Sequence, residues 1–103
     1  MKQYPCQYID AEDFPGSWIG SWELVGAGTD YEELKICGRG SCYHVILGYY
    51  SCGNYLCIPD IDVGCALGSL NDVFWNYERL SRLLGETDAI TISRGISDFA
   101  ESD

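Results

Sequence analysis

The sequence contains few basic residues, one histidine and no long hydrophobic run. Its six lysine and arginine residues stand against sixteen aspartate and glutamate residues, which gives a formal net charge of -10 at pH 7. Such a surface repels nucleic acid phosphates and anionic lipids, and it attracts basic protein surfaces. We therefore expect no direct binding to nucleic acid or membranes. The acidity favours a basic protein partner, although it can also serve solubility alone.

Hydrophobic segments are too short for a membrane helix or a signal peptide. No apolar run reaches the roughly 18 residues of a transmembrane candidate, and the first residues, MKQYPCQYIDAED, hold no apolar segment. We therefore expect a cytosolic protein, where cysteines are kept reduced. A chain of 103 residues fits one domain, 1–103, and its 47% hydrophobic content argues against general disorder.

Alternating hydrophobic residues predict antiparallel strands in the first two thirds of the chain. The sequence GRGS predicts a tight hairpin, Gly53-Asn54 a second two-residue turn, and PDIDVG a loop. Short connections between consecutive strands favour a meander. The predicted strands cover residues 4–10, 18–25, 31–37, 42–50 and 55–58.

The hydrophobic period then changes to that of a helix. Apolar residues at helical spacing predict a helix over residues 70–84, with Ser69 as its N-cap and Gly85 at its end. Residues 88–99 are compatible with a strand or a helix, and we favour a helix. The fold class predicted is α+β, an antiparallel β-meander of about four or five strands packed with one or two α-helices in the C-terminal half.

Five of the six cysteines and the single histidine fall between residues 36 and 65. If GRGS forms the hairpin, Cys37 and Cys42 face each other with Cβ atoms about 4.5–5.5 Å apart. That distance suits two metal ligands, a disulfide, or two small apolar side chains in contact. From position alone, the first zinc ligands are Cys57 and Cys65, followed by Cys6 and Cys52.

No catalytic motif stands out in the sequence. There is no H-E-x-x-H, no G-x-S-x-G and no phosphate loop. Cys42 and His44 share a strand face without a third group to orient them, and Asp60 with Asp62 is a weak cation motif. We therefore expect a non-enzymatic protein. Three tryptophans and eight tyrosines suit a protein-binding surface, and Tyr49-Tyr50 must point to opposite faces of one strand.

Several motifs resemble a family of small uncharacterised proteins from Gram-positive bacteria, their phages and conjugative elements. They are NYLCIP, GC-x-L, D-x-FWN-x-ERL and DAITI, with FPGSWIGSWE and GRGSCYHVI upstream. A small acidic domain of this type also resembles phage-encoded type II-A anti-CRISPR proteins, which inhibit the Cas9 effector nuclease, and some of which carry zinc. The resemblance implies the host bacterial cytosol as location. It also implies a zinc set of Cys6, His44, Cys57 and Cys65. Cys52, Cys37 and Cys42 do not match the family's pattern and are reserve candidates only.

The resulting expectation is an inhibitor that binds a CRISPR effector nuclease (Cas9) through an acidic surface. Such a nuclease holds its guide–target duplex in a positively charged channel, so an acidic protein could prevent target DNA loading without catalysis. The alternatives are a zinc-stabilised structural or regulatory module with another host partner, and a small cysteine-dependent enzyme. We expect no small-molecule ligand. The candidate contacts are Asp10, Glu12, Asp13, Asp30, Glu32, Glu33, Asp60 and Asp62.

Overall fold

The computed structural model describes residues 20–38 and 40–102, in which five strands precede two helices. The strands form one antiparallel sheet in the order β1-β2-β3-β4-β5, which confirms the predicted α+β class. The predicted strand at 4–10 lies outside the described residues, as do Cys6, Asp10, Glu12 and Asp13. The elements are β1 (Ser21–Ala27), β2 (Tyr31–Cys37), β3 (Cys42–Tyr50), β4 (Gly53–Ile58), a 3-10 turn (Pro59–Ile61), β5 (Val63–Leu67), α1 (Val73–Leu84) and α2 (Glu86–Glu101).

The strand predictions are accurate where alternation is regular and wrong where the strand is short. The bounds of β2 and β3 agree with the prediction, whereas β5 occupies part of a segment predicted as a loop. Its sequence VGCAL holds two very small residues, so propensity alone does not mark it as a strand. The turn before β4 also differs, because Tyr50 pairs with Gly53 and leaves Ser51 and Cys52 at the tip.

Both helices are present, with shifted starts. Helix α1 begins at Val73, and the Asp72 side chain accepts a hydrogen bond from the backbone N–H of Trp75, so Asp72 rather than Ser69 is the N-cap. The carbonyl of Ser69 instead accepts hydrogen bonds from Asp72 N and from the side chain of Asn76. Gly85, with a φ of 86°, separates α1 from α2. The ambiguous C-terminal segment is therefore helical.

The core lies between one face of the sheet and the helix pair. Helix α2 packs on β1 and β2, and α1 packs on β5 and α2. Side chains alternate along each strand, so the opposite face of the sheet points away from both helices. No helix in the described part of the chain is long and apolar enough to cross a membrane. The core comprises Leu34, Ile36, Val45, Leu47, Leu56, Ile58, Leu67, Val73, Tyr77, Leu80, Ala89, Ile92 and Ile96.

Candidate protein-binding face

The sheet face that points away from the helices, here called the open face, carries three exposed tyrosines. Tyr31 on β2 and Tyr55 on β4 pair directly with Gly48 on β3, one from each side. Tyr50 follows two residues after Gly48 and so shares its face. The exposed fractions of Tyr31, Tyr50 and Tyr55 are 39%, 58% and 44%. These three residues form the tyrosine cluster.

Glycines beneath the rings allow the tyrosines to lie against the backbone. A Cβ atom placed on Gly48 would lie 3.1 Å from Cε2 of Tyr50, and one placed on Gly64 would lie 2.9 Å from the Tyr55 hydroxyl oxygen. The tyrosine rings therefore cover glycine backbone that has no side chain of its own to shield it. Aromatic residues often pack over strand glycines in this way. Supported rings lose little conformational entropy on binding, which suits tyrosine as an anchor residue.

Charged residues of both signs border the tyrosine cluster on the open face. Glu33 follows two residues after Tyr31 on β2 and so lies on the same face. Its Oε1 is 3.7 Å from Nε2 of His44. Lys35 pairs with His44 on one side and with Glu23 on the other. This row of charges provides carboxylates beside the aromatic rings and one lysine toward the β2–β3 hairpin.

The five predicted acidic contacts that the structure describes do not form one patch. Glu32 pairs with Leu47 on the helix side of the sheet, where its carboxylate accepts a 2.5 Å hydrogen bond from the Tyr49 hydroxyl. Burial, and then this hydrogen bond, raise the pKa of Tyr49. Asp30 lies in the turn beside Tyr31, whereas Asp60 and Asp62 lie in the β4–β5 connection, toward the other end of β3. Of the described acidic residues in this set, Glu33 is the one that lies on β2 with its side chain on the open face.

The predicted opposition of Cys37 and Cys42 is confirmed, and the two sulfurs form a disulfide. The hairpin closes by a hydrogen bond from Gly38 N to Ser41 O. A sulfur in a disulfide is not a thiolate, so neither Cys37 nor Cys42 can bind zinc as a thiolate in this oxidised form. Cys52 is exposed in the β3–β4 turn.

Among the described zinc candidates, the structure does not bring His44, Cys57 and Cys65 to one point. Cys65 pairs with the buried Leu56 and therefore faces the helices, where burial raises its pKa against the opposing effect of Arg79. Cys57 pairs with Ile46 and Gly64, so it points to the open face, as His44 does. Two ligands on opposite faces of a sheet cannot share one tetrahedral ion. Within residues 20–38 and 40–102, no three potential ligands are grouped around one point.

The sequence analysis singled out Tyr50 together with Tyr49, but it did not single out Tyr31 or Tyr55. The alternation predicted that Tyr49 and Tyr50 face opposite ways, and the structure places Tyr50 on the open face and Tyr49 on the helix side. Strand parity relative to the apolar residues of β2 and β4 also places Tyr31 and Tyr55 on the face opposite the core. What parity did not reveal is that both helices lie on one side.

Within the described residues, the fold and this face define a small α+β domain with a helix pair on one side of a meander sheet and an aromatic face on the other. The chain belongs to a family of unknown function, DUF6618, whose model matches residues 2–103. No curated protein and no solved structure matches the chain. The family brings no activity, organism or partner, so the resemblance to anti-CRISPR proteins stays a prediction.

Proposed function

We propose that this protein is a non-enzymatic binding domain that docks the open face of its sheet onto a basic surface of another protein. The observation that carries the proposal is the tyrosine cluster, three exposed tyrosines on the sheet face that neither helix covers, two of them at positions that pair with Gly48. Tyrosines at the centre of an interface supply large, rigid contact area, and they are enriched among residues that dominate binding energy.

The aromatic and acidic side chains of the open face suit arginine residues on the partner protein. Guanidinium groups stack on aromatic rings and pair with carboxylates, and Glu33 places a carboxylate next to Tyr31. The net charge of -10 would accelerate the encounter with a basic surface at low ionic strength. These two contributions are separable, because long-range attraction is screened by salt and aromatic contact is not.

The partner we propose is a Cas9-type effector nuclease in the bacterial cytosol. Its positively charged channel receives the target DNA, so an acidic domain seated there would exclude DNA by occupancy alone. Sequence resemblance supports this partner, and the acidity of the chain agrees with it. The proposal does not require zinc, because the tyrosine cluster depends on strand pairing and on glycines rather than on a metal.

Binding of the purified protein to a guide-loaded Cas9-type nuclease tests the proposal. We expect affinity to fall between about 50 mM and about 500 mM salt, and target cleavage to fall as the complex forms. Tyr50→Ala and Tyr55→Ala should each weaken binding roughly tenfold or more. Leu83→Ala is the matched control, because Leu83 is a large hydrophobic residue on α1 with 51% of its surface exposed. It should change affinity less than about twofold.

The possible failures are distinguishable. Absence of any complex with the nuclease rules out the proposed partner. Binding that responds to Leu83→Ala but not to the tyrosine variants places the interface on the helices instead. Titration with an arginine-rich peptide, followed by NMR, tests the open face without the nuclease. The ring resonances of Tyr31, Tyr50 and Tyr55 should shift as the peptide binds. Unchanged resonances would contradict the docking face itself.

A further inference from the structure

The Cys37–Cys42 disulfide lies at the hairpin end of the sheet, and strand parity places both cysteine side chains on the open face. Cys42 is exposed and Cys37 is half-buried. A solvent-accessible sulfur can be attacked by a free thiol, whereas a sulfur inside a core cannot. Access therefore permits exchange at Cys42.

The hairpin does not depend on the cross-link. Strands β2 and β3 pair continuously from Tyr31 with Gly48 to Cys37 with Cys42. The two cysteines are five positions apart in sequence, and their Cα atoms are 4.0 Å apart. A cross-link that closes so short a loop restricts the unfolded chain little. After reduction the ladder would still hold the two thiols opposite each other, ready to re-form the bond.

A cavity of about 290 Å³ adjoins the disulfide, with Cys42, Lys35, His44 and Asp60 among its lining residues. This volume is at the lower end for ligand sites, so it suits a small molecule. Lys35 is suited to a carboxylate and Asp60 to an ammonium group. Glu23 lies opposite Lys35, so the surroundings do not favour a purely anionic molecule. Val25 and Tyr43 complete a lining that is mostly apolar, and Lys35 with Asp60 supplies one charge of each sign for a small thiol that carries both.

We propose that Cys37–Cys42 is an exchangeable disulfide and that the adjoining cavity receives a small zwitterionic thiol of the cysteine or glutathione class. The thiolate of that molecule attacks Sγ of Cys42, the bond between the two protein sulfurs breaks, and Cys37 leaves as a thiolate that takes up a proton. A second molecule of the small thiol attacks the small-molecule sulfur of the mixed disulfide. Cys42 then leaves as a thiolate and takes up a proton. Two small thiols are oxidised to one disulfide while the protein disulfide is reduced to two thiols.

The first experiment follows reduction of the oxidised protein under native conditions. Reduced glutathione and the neutral 2-mercaptoethanol serve as probes, with acid quench, alkylation and mass spectrometry of each cysteine peptide. Lys35→Ala and Asp60→Asn should each slow reduction by glutathione roughly two- to fivefold, the size expected for one exposed ionic contact. Both variants should leave the rate with 2-mercaptoethanol unchanged within about twofold.

The second experiment identifies the sulfur that reacts. The Cys37→Ser and Cys42→Ser variants are exposed to oxidised glutathione. The thiol left in Cys37→Ser should form the mixed disulfide faster than the thiol left in Cys42→Ser, because Cys42 lines the cavity. Peptide mapping separates both from the remaining cysteines.

Three outcomes would overturn the proposal. The disulfide could stay oxidised in millimolar glutathione unless the protein is unfolded, as followed by circular dichroism. The two charge variants could slow both probes equally. The two single-cysteine variants could react at the same rate. Each readout is independent of partner binding, so a failure here leaves the proposed docking function untouched.

Discussion

Helix α2 approaches β2 so closely at Gly95 that a Cβ atom placed there would lie 2.5 Å from Cγ2 of Ile36. Both residues are buried, and Ile36 has no exposed surface. Glycine within a helix costs roughly 1 kcal/mol relative to alanine. The close contact between α2 and the sheet explains why a helix that covers the core contains one.

Gly95→Ala should lower the free energy of unfolding by about 1–3 kcal/mol, although alanine is the better helix former, because the methyl group overpacks the helix–sheet contact. Urea denaturation measures the change. The same substitution in an Ile36→Ala background should cost much less, because the space has been vacated. An equal cost in the two backgrounds would show that the contact is not the cause.

Asn76→Ala should destabilise the protein through hydrogen bonds in the loop before α1. The Asn76 side chain is fully buried, accepts from Gly68 N at 2.9 Å and donates to Ser69 O at 3.0 Å. Removing it leaves the half-buried Gly68 N–H without that partner and takes one of two hydrogen bonds from the Ser69 carbonyl, at a total cost of about 1–3 kcal/mol. Asn71→Ala is the control on an exposed residue of the same loop, with an expected change within about 0.5 kcal/mol. Comparable losses in thermal denaturation would count against this role for Asn76.

The stability of the protein should fall above about pH 10, the pKa of an unfolded tyrosine. Burial, and then the hydrogen bond to Glu32, raise the pKa of Tyr49 in the folded protein. Burial, and then the hydrogen bond to Asp88, likewise raise the pKa of Tyr43. Between the unfolded and folded pKa values the unfolded chain releases protons that the folded protein retains, so rising pH favours unfolding. Below this window the contribution to stability is fully present.

Tyr49→Phe should reduce the slope of unfolding free energy against pH above pH 10 by up to about 1.4 kcal/mol per pH unit, the value for one proton. Glu32→Gln should reduce the slope less than Tyr49→Phe. The nearby charge is lost, but burial still raises the pKa of Tyr49. Urea denaturation at a series of alkaline pH values measures the slopes. Identical slopes for the wild type and Tyr49→Phe would refute the assignment to this residue.

Asp98→Ala should loosen the end of α2 from the edge of the sheet. Asp98 accepts a 3.0 Å hydrogen bond from Nε1 of Trp22 on β1, and the Trp22 and Phe99 rings meet edge-on with centroids 5.3 Å apart. We expect a loss of about 0.5–1.5 kcal/mol and faster amide hydrogen exchange in the last turns of α2. Asp98→Asn keeps an acceptor oxygen and should retain most of the stability. An Asp98→Asn variant as weak as Asp98→Ala would argue that charge rather than the hydrogen bond matters.

Regular local patterns were sufficient to predict much of the fold. The alternation of residues 31–37 and 42–50 around GRGS predicted two strands and the opposition of Cys37 to Cys42, because a two-residue turn sets the pairing of its flanking strands. The helical spacing that follows predicted α1. The error at Ser69 arose because the Asp72 side chain accepts from Trp75 N while the Ser69 carbonyl accepts from the Asn76 side chain, and sequence alone did not rank these hydrogen bonds.

The zinc prediction depended on information that is not local. Cys57 and Cys65 are eight positions apart, and spacing alone allows both to bind one ion. Once β5 pairs with β4, Leu56 opposes Cys65 and Gly64 opposes Cys57, which assigns the two thiols to opposite faces. A strand as short and weakly marked as β5 left that pairing unpredicted.

The sequence by itself determined the alternation of the strands, the period of α1, the acidity of the surface and the opposition of Cys37 and Cys42, because each depends on residues near in the chain or on composition. Tertiary structure decided that the segment after Gly85 is a helix, because burying Ile92 and Ile96 against the sheet selects between two local patterns. It also decided which sheet face is covered. Both helices pack on the side of Leu34 and Leu56, and that choice leaves the rings of Tyr31, Tyr50 and Tyr55 exposed.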